Sequence, residues 1–312
     1  MSDAVVSPAR TDVGIGATPA KPPGNWLTNP WRKPVFLRTF TWAYIAWSIV
    51  PVLIAIAFSF NDGRSRSIWQ GFSFRWWWQD PTDSLFQDPA LRQAIVQSLK
   101  LSLITMLIAV PLGTMFAIAI DRWHSRPARF ANFGMLFSFV LPEIILGVAL
   151  WLLFTNLLKS FLGLGTTAQL LGLITFQLSY PVIIVRARLL TIGPFYEEAA
   201  MDLGAKPRQA ITSVLLPLLY PAIFASFAIV FADTIDDFVT VNYLASTVAT
   251  QPLSVKIYSA ARSSPTPAVN AAATFMLIST FVAIGLALIV YRILTRGQRS
   301  DGASSVKEFV SF

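Results

Sequence analysis

The stretch "YEEAAMDLGAKPRQAITSVLLP", residues 196–217, begins as a hydrophilic gap after one long apolar run and ends inside the next. Glu197, Glu198, Ala199, Ala200, Met201 and Leu203 favour helix, and the two carboxylates fall in a first turn, where the helix dipole stabilises them. Gly204 is suited to the left-handed turn that ends a helix, and Pro207 to the first turn of the next. The segment therefore predicts a short helix, a sharp bend and a second helix entering the apolar run. An ordinary solvated loop fits the spacing equally well.

Its surroundings are built for lipid. Only 13% of the 312 residues are charged and 54% are hydrophobic, with a mean hydropathy of +0.59, against roughly 25% charged residues in a soluble domain. Crossing about 30 Å of hydrocarbon takes roughly 20 apolar residues. Six stretches reach that length: 41–60, 101–120, 131–158, 161–185, 209–232 and 263–291. Glu143 is the one charge within them.

With the N-terminus inside, 16 of the 24 basic residues fall in inside segments, among them Arg122, Arg126, Arg129, Arg186, Arg188, Lys206 and Arg208. The prediction is an all-α membrane protein with six transmembrane helices and both termini cytoplasmic. Residues 1–34 read as a disordered cytoplasmic tail rich in proline and small polar residues. Without an apolar core that tail is no cleavable signal. Residues 35–297 form the transmembrane domain, and 298–312 a second cytoplasmic tail. Pro181, Pro217 and Pro221 predict kinks, and Gly163, Gly165 and Gly172 make the fourth span the one most prone to break.

The net charge of +8 is spread between spans rather than gathered on one face, so nucleic acid is excluded as a partner. There is no cysteine, and the single histidine, His124, lacks companions, so neither a disulfide nor a metal cluster is expected. Trp69, Trp76, Trp77 and Trp78 in the outside loop suit the headgroup level better than a docked partner.

Asp233, Asp236 and Asp237, at i, i+3 and i+4, share one face if the fifth helix persists that far. They would then make an acidic entry face for a cationic solute, or a solvated helix end. Glu143 costs at least about 2.5 kcal/mol to insert, so it faces a cavity or a partner subunit, where it lines the pathway, ties two helices through backbone groups freed by Pro142, or stays protonated. Tyr243 and Trp151 offer cation–π faces, although rings in spans usually pack.

The spacing Glu198-Ala199-Ala200, three residues, Gly204, nine residues, Val214, one residue, Leu216-Pro217 resembles the EAA loop of bacterial ABC importer permeases, with Val214 at the usual isoleucine. "SFND", "WQGFSF", "LPEIILGVALWLLF", "DDFVTVNYL" and "PLSVKIYSAARSSPTPAVNAAAT" look like the second permease subunit of spermidine/putrescine importers. A longer "QDPTDS" and Gln97, at a usual asparagine, depart from that pattern and put loop contacts in doubt.

The resemblance implies a type I ABC importer permease of the bacterial inner membrane. The loop at about 195–217 would be its coupling helix, with Glu197, Glu198, Ala199, Ala200, Asp202, Gly204, Leu216 and Pro217 engaging a separate ATPase. It also implies a second permease subunit, a pair of ATP-binding subunits holding ATP and Mg, an extracellular or periplasmic binding protein, and lipid. The chain itself has no G-x-x-x-x-G-K-[ST] loop, so no nucleotide or other cofactor is expected in it and no catalysis of its own. Polyamine is the expected solute. Another small solute of the same importer class is the alternative, and an ion-gradient transporter the more distant one.

Overall fold

The computed structural model describes residues 35–310 apart from Arg66, His124, Ser125, Ser264 and Pro265, with backbone alone for Val35, Leu136, Ser138 and 296–310. The predicted 1–34 tail, His124 and residues 311–312 lie outside the described residues. Among these, helix dominates, and extended pairing is limited to one isolated bridge between Asn61 and Phe72. The chain divides into two units between Val52 and Leu53, within helix α1 (Val35–Phe58). In the first unit α1 presents Trp42, Tyr44 and Trp47 as exposed rings.

The second unit is built on α2 (Pro89–Arg122), which Asp88 caps by accepting the Ala90 N–H at 2.7 Å. There follow α3 (Arg126–Val140), α4 (Glu143–Leu152), α5 (Thr166–Gln177), α6 (Ser179–Ile192), α7 (Phe195–Asp202) and the single turn α8 (Pro207–Gln209). The chain closes with α9 (Leu216–Asp236), α10 (Val239–Leu244), α11 (Leu253–Ser263) and α12 (Pro267–Val310).

Five described helical stretches are long and apolar enough to cross a membrane: Phe36–Phe58, Pro89–Arg122, Thr166–Ile192, Pro207–Asp236 and Pro267–Thr295. The third predicted span, 131–158, is no single helix. It breaks at Leu141 and Pro142 into α3 and α4, and Pro142 takes an extended ψ of 128°. Proline has no N–H to continue the ladder and disfavours helix in the residue before it. The fourth span starts at Thr166 rather than 161, with the Gly165 N–H donating to the Leu244 carbonyl at 2.9 Å. At Leu178 it passes from α5 into α6, and the Val182 N–H to Leu178 carbonyl bond is stretched to 3.5 Å beside Pro181. Ahead of Pro217 the ladder widens to a π turn over Ala210–Leu215.

α2 is the central helix, packed against α5, α6, α9 and α11. Lipid supplies no hydrophobic drive between helices, so close van der Waals approach does the work. Gly113 allows it: a Cβ there would sit 2.5 Å from Pro181 Cγ. One interior cluster joins Ala117, Val182, Val185, Leu189, Leu215 and Leu219. Gln97, whose departure from the family pattern put loop contacts in doubt, is buried within α2 and donates to Gln169 Oε1 and Thr166 Oγ1, each at 2.9 Å.

The segment after α1 folds into a small core that it shares with α2, α11 and α12. Trp76 is fully buried and its Nε1–H donates to the Asn61 carbonyl at 2.7 Å; Trp77 is buried beside it. Both pack with Leu85, Ala94, Ile95 and Leu253. The expectation of four headgroup rings is therefore corrected: a π turn over Arg75–Gln79 swings Trp76 and Trp77 inward and leaves only Trp69 and Trp78 exposed.

Candidate functional site

The predicted helix, bend and helix are present. α7 ends in a pair of bonds from the Ala205 N–H to the Ala200 carbonyl at 3.0 Å and from the Gly204 N–H to the Met201 carbonyl at 2.9 Å. Those two bonds close a Schellman turn, which needs a left-handed residue, and Gly204 supplies it at φ +91°. Lys206 then starts α8, its N–H donating to Gln209 Oε1 at 3.0 Å, with Pro207 at the first helical position.

Successive helix residues point about 100° apart, and the two glutamates part company accordingly. Glu198 is exposed, together with Asp202, Tyr196, Met201 and a nearly bare Leu203. Glu197 is buried. Its carboxylate receives Arg122 Nε–H at 3.0 Å and Nη2–H at 2.9 Å, while Arg122 Nη1–H reaches Asp121 Oδ2 at 2.5 Å. Ala199 and Ala200 are half-buried where α7 packs on Ala210–Leu215, and Leu216 and Pro217 are half-buried at the head of α9.

A second polar constellation lies at the other end of α9. α9 persists to Asp236, but Asp237 leaves the helix with ψ 127°, so the three aspartates do not share a face. Asp233 accepts Gln177 Nε2–H at 2.7 Å and the Tyr180 hydroxyl at 3.3 Å. Asp237 is buried, accepts the Val241 N–H at 3.1 Å and meets the Glu143 side chain. Tyr180 lies within electrostatic reach of Asp233, Glu143 and Asp237. Asp236 instead is exposed, at the edge of a cavity of about 650 Å³ lined also by Phe238, Tyr258 and Met276.

Tyr243 lays its ring against Gly147, and Trp151 is exposed on α4. Among the described residues, no hydrogen bond or ring pair ties either one to the carboxylates. Gln177 and Tyr180 were not anticipated, although a glutamine in an apolar span is a visible polar outlier. The Gln177 Oε1 is buried and meets no donor among the described residues. No group of three metal-ligating side chains occurs among the described residues.

Residues 109–300 match the family model for binding-protein-dependent transport system inner membrane components. The putrescine transport system permease protein PotI of Escherichia coli K12 is 30% identical over 255 residues, covering 80% of this chain and 87% of that protein. The spermidine/putrescine transport system permease protein PotC of Haemophilus influenzae is 32% identical over 259 residues, covering 82% and 97%. Among solved structures, a bacterial ABC transporter involved in the import of the acidic polysaccharide alginate matches with a TM-score of 0.66 at 20% identity, over 84% of this chain and 96% of that one.

Proposed function

This chain belongs to the binding-protein-dependent transport system inner membrane components, and from that premise we propose that it is the translocation subunit of an ATP-driven polyamine importer. The observation that carries the reading is the form of α7: a short helix closed by a Schellman turn at Gly204, with Glu198, Asp202 and Leu203 outward. A projecting acidic and apolar edge suits a groove with basic and apolar walls on a separate ATPase. ATP and Mg would be held there, not in this chain. Nucleotide drives transport only if it favours one conformation over another, and α7 is where that preference enters this subunit.

The solute follows from the inner constellation and from the relatives. PotI and PotC are named for putrescine and spermidine. In this chain Asp233, Asp237 and Glu143 bring three carboxyl groups near Tyr180, and the buried Gln177 Oε1 adds an acceptor with no donor among the described residues. Ammonium groups would bring donors and positive charge to this cluster of acceptors. α3 and α4 together supply the sixth crossing, both termini are cytoplasmic, and the chain divides into the 1–34 tail, a 35–297 permease domain and the 298–312 tail. A second permease and an external binding protein complete the importer.

The test is purification of the subunit from its native membrane in mild detergent, followed by mass spectrometry of what stays bound. A second permease and a Walker-A ATPase in one particle, with uptake in which spermidine and putrescine compete, is the expected result. A particle that lacks any ATPase after gentle crosslinking overturns the reading.

A further inference from the structure

The ion pair beneath α7 has geometry suited to carrying force. Arg122 and Glu197 are 75 residues apart and meet through two parallel hydrogen bonds of 3.0 and 2.9 Å. Their side chains are 26% and 10% exposed. Guanidinium and carboxylate interlock as planar forks, so the pair resists shear as well as separation. Parting it would strand a largely buried charge, which costs more than moving both partners together.

Each end is anchored. Glu197 lies in the first turn of α7, and Arg122 in the last turn of α2, steadied by Asp121. At its far end α2 is tied again: Gln97 to Gln169 and Thr166, and Ser98 Oγ to the Leu253 N–H at 2.8 Å. Gln169 Nε2–H in turn holds the carbonyls of Val241 and Thr250 at 2.9 and 3.0 Å. A displacement of α7 that keeps the fork intact must therefore be followed by α2, by α10 and by the segment from α10 to the start of α11.

We infer that Arg122 and Glu197 form the strut that transmits movement of α7 to α2. Glu197 then acts inside the subunit while its neighbour Glu198 meets the ATPase. The inference rests on the importer reading above. Arg122 and Glu197 are positioning residues, since neither needs to touch solute or nucleotide.

The experiment is the complete importer in proteoliposomes, with uptake of radiolabelled spermidine and ATP hydrolysis measured on the same preparation. A merely structural role lowers both together and leaves their ratio fixed; a strut lowers uptake per ATP hydrolysed. Glu197→Gln is expected to reduce that ratio by about tenfold. The exchange Arg122→Glu with Glu197→Arg restores the pairing in reverse and is expected to recover at least part of the ratio. An unchanged ratio in Glu197→Gln overturns the strut and leaves the importer reading standing. Absence of ATP-driven uptake by the unaltered complex overturns the importer reading, and the strut with it. Failure of both variants to assemble with the ATPase also overturns the strut, because the pair then serves only the fold.

Discussion

Glu197 and Glu198 are chemically identical neighbours whose surroundings diverge because one helical step turns the first toward Arg122 and the second toward solvent. Charge reversal at the outward position should therefore act on docking and not on the fold. Glu198→Lys is expected to insert normally yet lose ATPase binding or coupled uptake by at least about tenfold, read by copurification of the ATPase and by uptake; normal uptake would refute the docking role. Asp80, in the segment before α2, is a different case. Its carboxylate accepts the N–H groups of Thr82 and Asp83, the Thr82 hydroxyl and Arg75, and the backbone bonds first of all hold its pKa down at about 2. A depressed carboxylate stabilises the fold fully above its unfolded value near 4 and loses that contribution as pH falls toward 2. Burial of Trp76 and Trp77, followed by fluorescence emission in detergent, should hold at pH 5 and decline between about pH 4 and pH 2. Asp80→Asn should flatten that decline, and an identical acid response in the variant would count against this assignment.

Two glycines at the scale of helices test which constraint matters more. At Gly113 an added Cβ falls 2.5 Å from Pro181 Cγ and 3.2 Å from the Leu178 carbonyl, so α2 and α6 must separate. At Gly204 nothing lies within 4 Å of an added Cβ, and the cost is that of φ +91° alone. Gly113→Ala is therefore expected to cost about 1–3 kcal/mol, and Gly204→Ala about 1 kcal/mol. Thermal unfolding of the two variants checks the order, and a larger loss at Gly204 would show that the α2–α6 contact yields more readily than this packing implies. The bend at Gly204 was legible in the sequence because a Schellman turn and a following proline are local chemistry. So were the apolar spans of α2, α9 and α12, since length and hydropathy suffice for them. The break at Pro142 was missed because apolar length on both sides of Pro142 and Glu143 outweighed the one proline and one charge that mark it. Trp76 and Trp77 misled because headgroup belts and small loop cores select the same ring. The Arg122 pairing joins residues 75 apart, and no periodicity reports a partner at that range.

For the whole molecule, the question is whether the carboxylates serve the path or only the packing. Asp233 and Asp237 are both engaged by neighbours: the first by Gln177 and Tyr180, the second by the Val241 N–H and Glu143. Such contacts suit a structural tie, yet Asp233, Asp237 and Glu143 all lie within electrostatic reach of Tyr180 in a bundle of apolar helices, where charge is costly and a visiting cation would offset it. Asn in place of Asp keeps the volume and most of the hydrogen-bonding capacity and deletes the charge. Replacing Asp233, Asp236 and Asp237 together by Asn should then leave assembly with the ATPase intact and cut spermidine uptake by about tenfold or more. The affinity of the binding protein for spermidine, measured separately, should stay unchanged, because that protein is a different chain. Retaining Asp236 while changing the other two divides the effect between the cavity edge and the inner cluster. If uptake follows Asp233 and Asp237, the ammonium groups pass by Gln177 and Tyr180. Uptake that is unaltered in the triple variant would make these carboxylates ties between α9, α4 and α6, and the polyamine reading would then rest on the relatives alone.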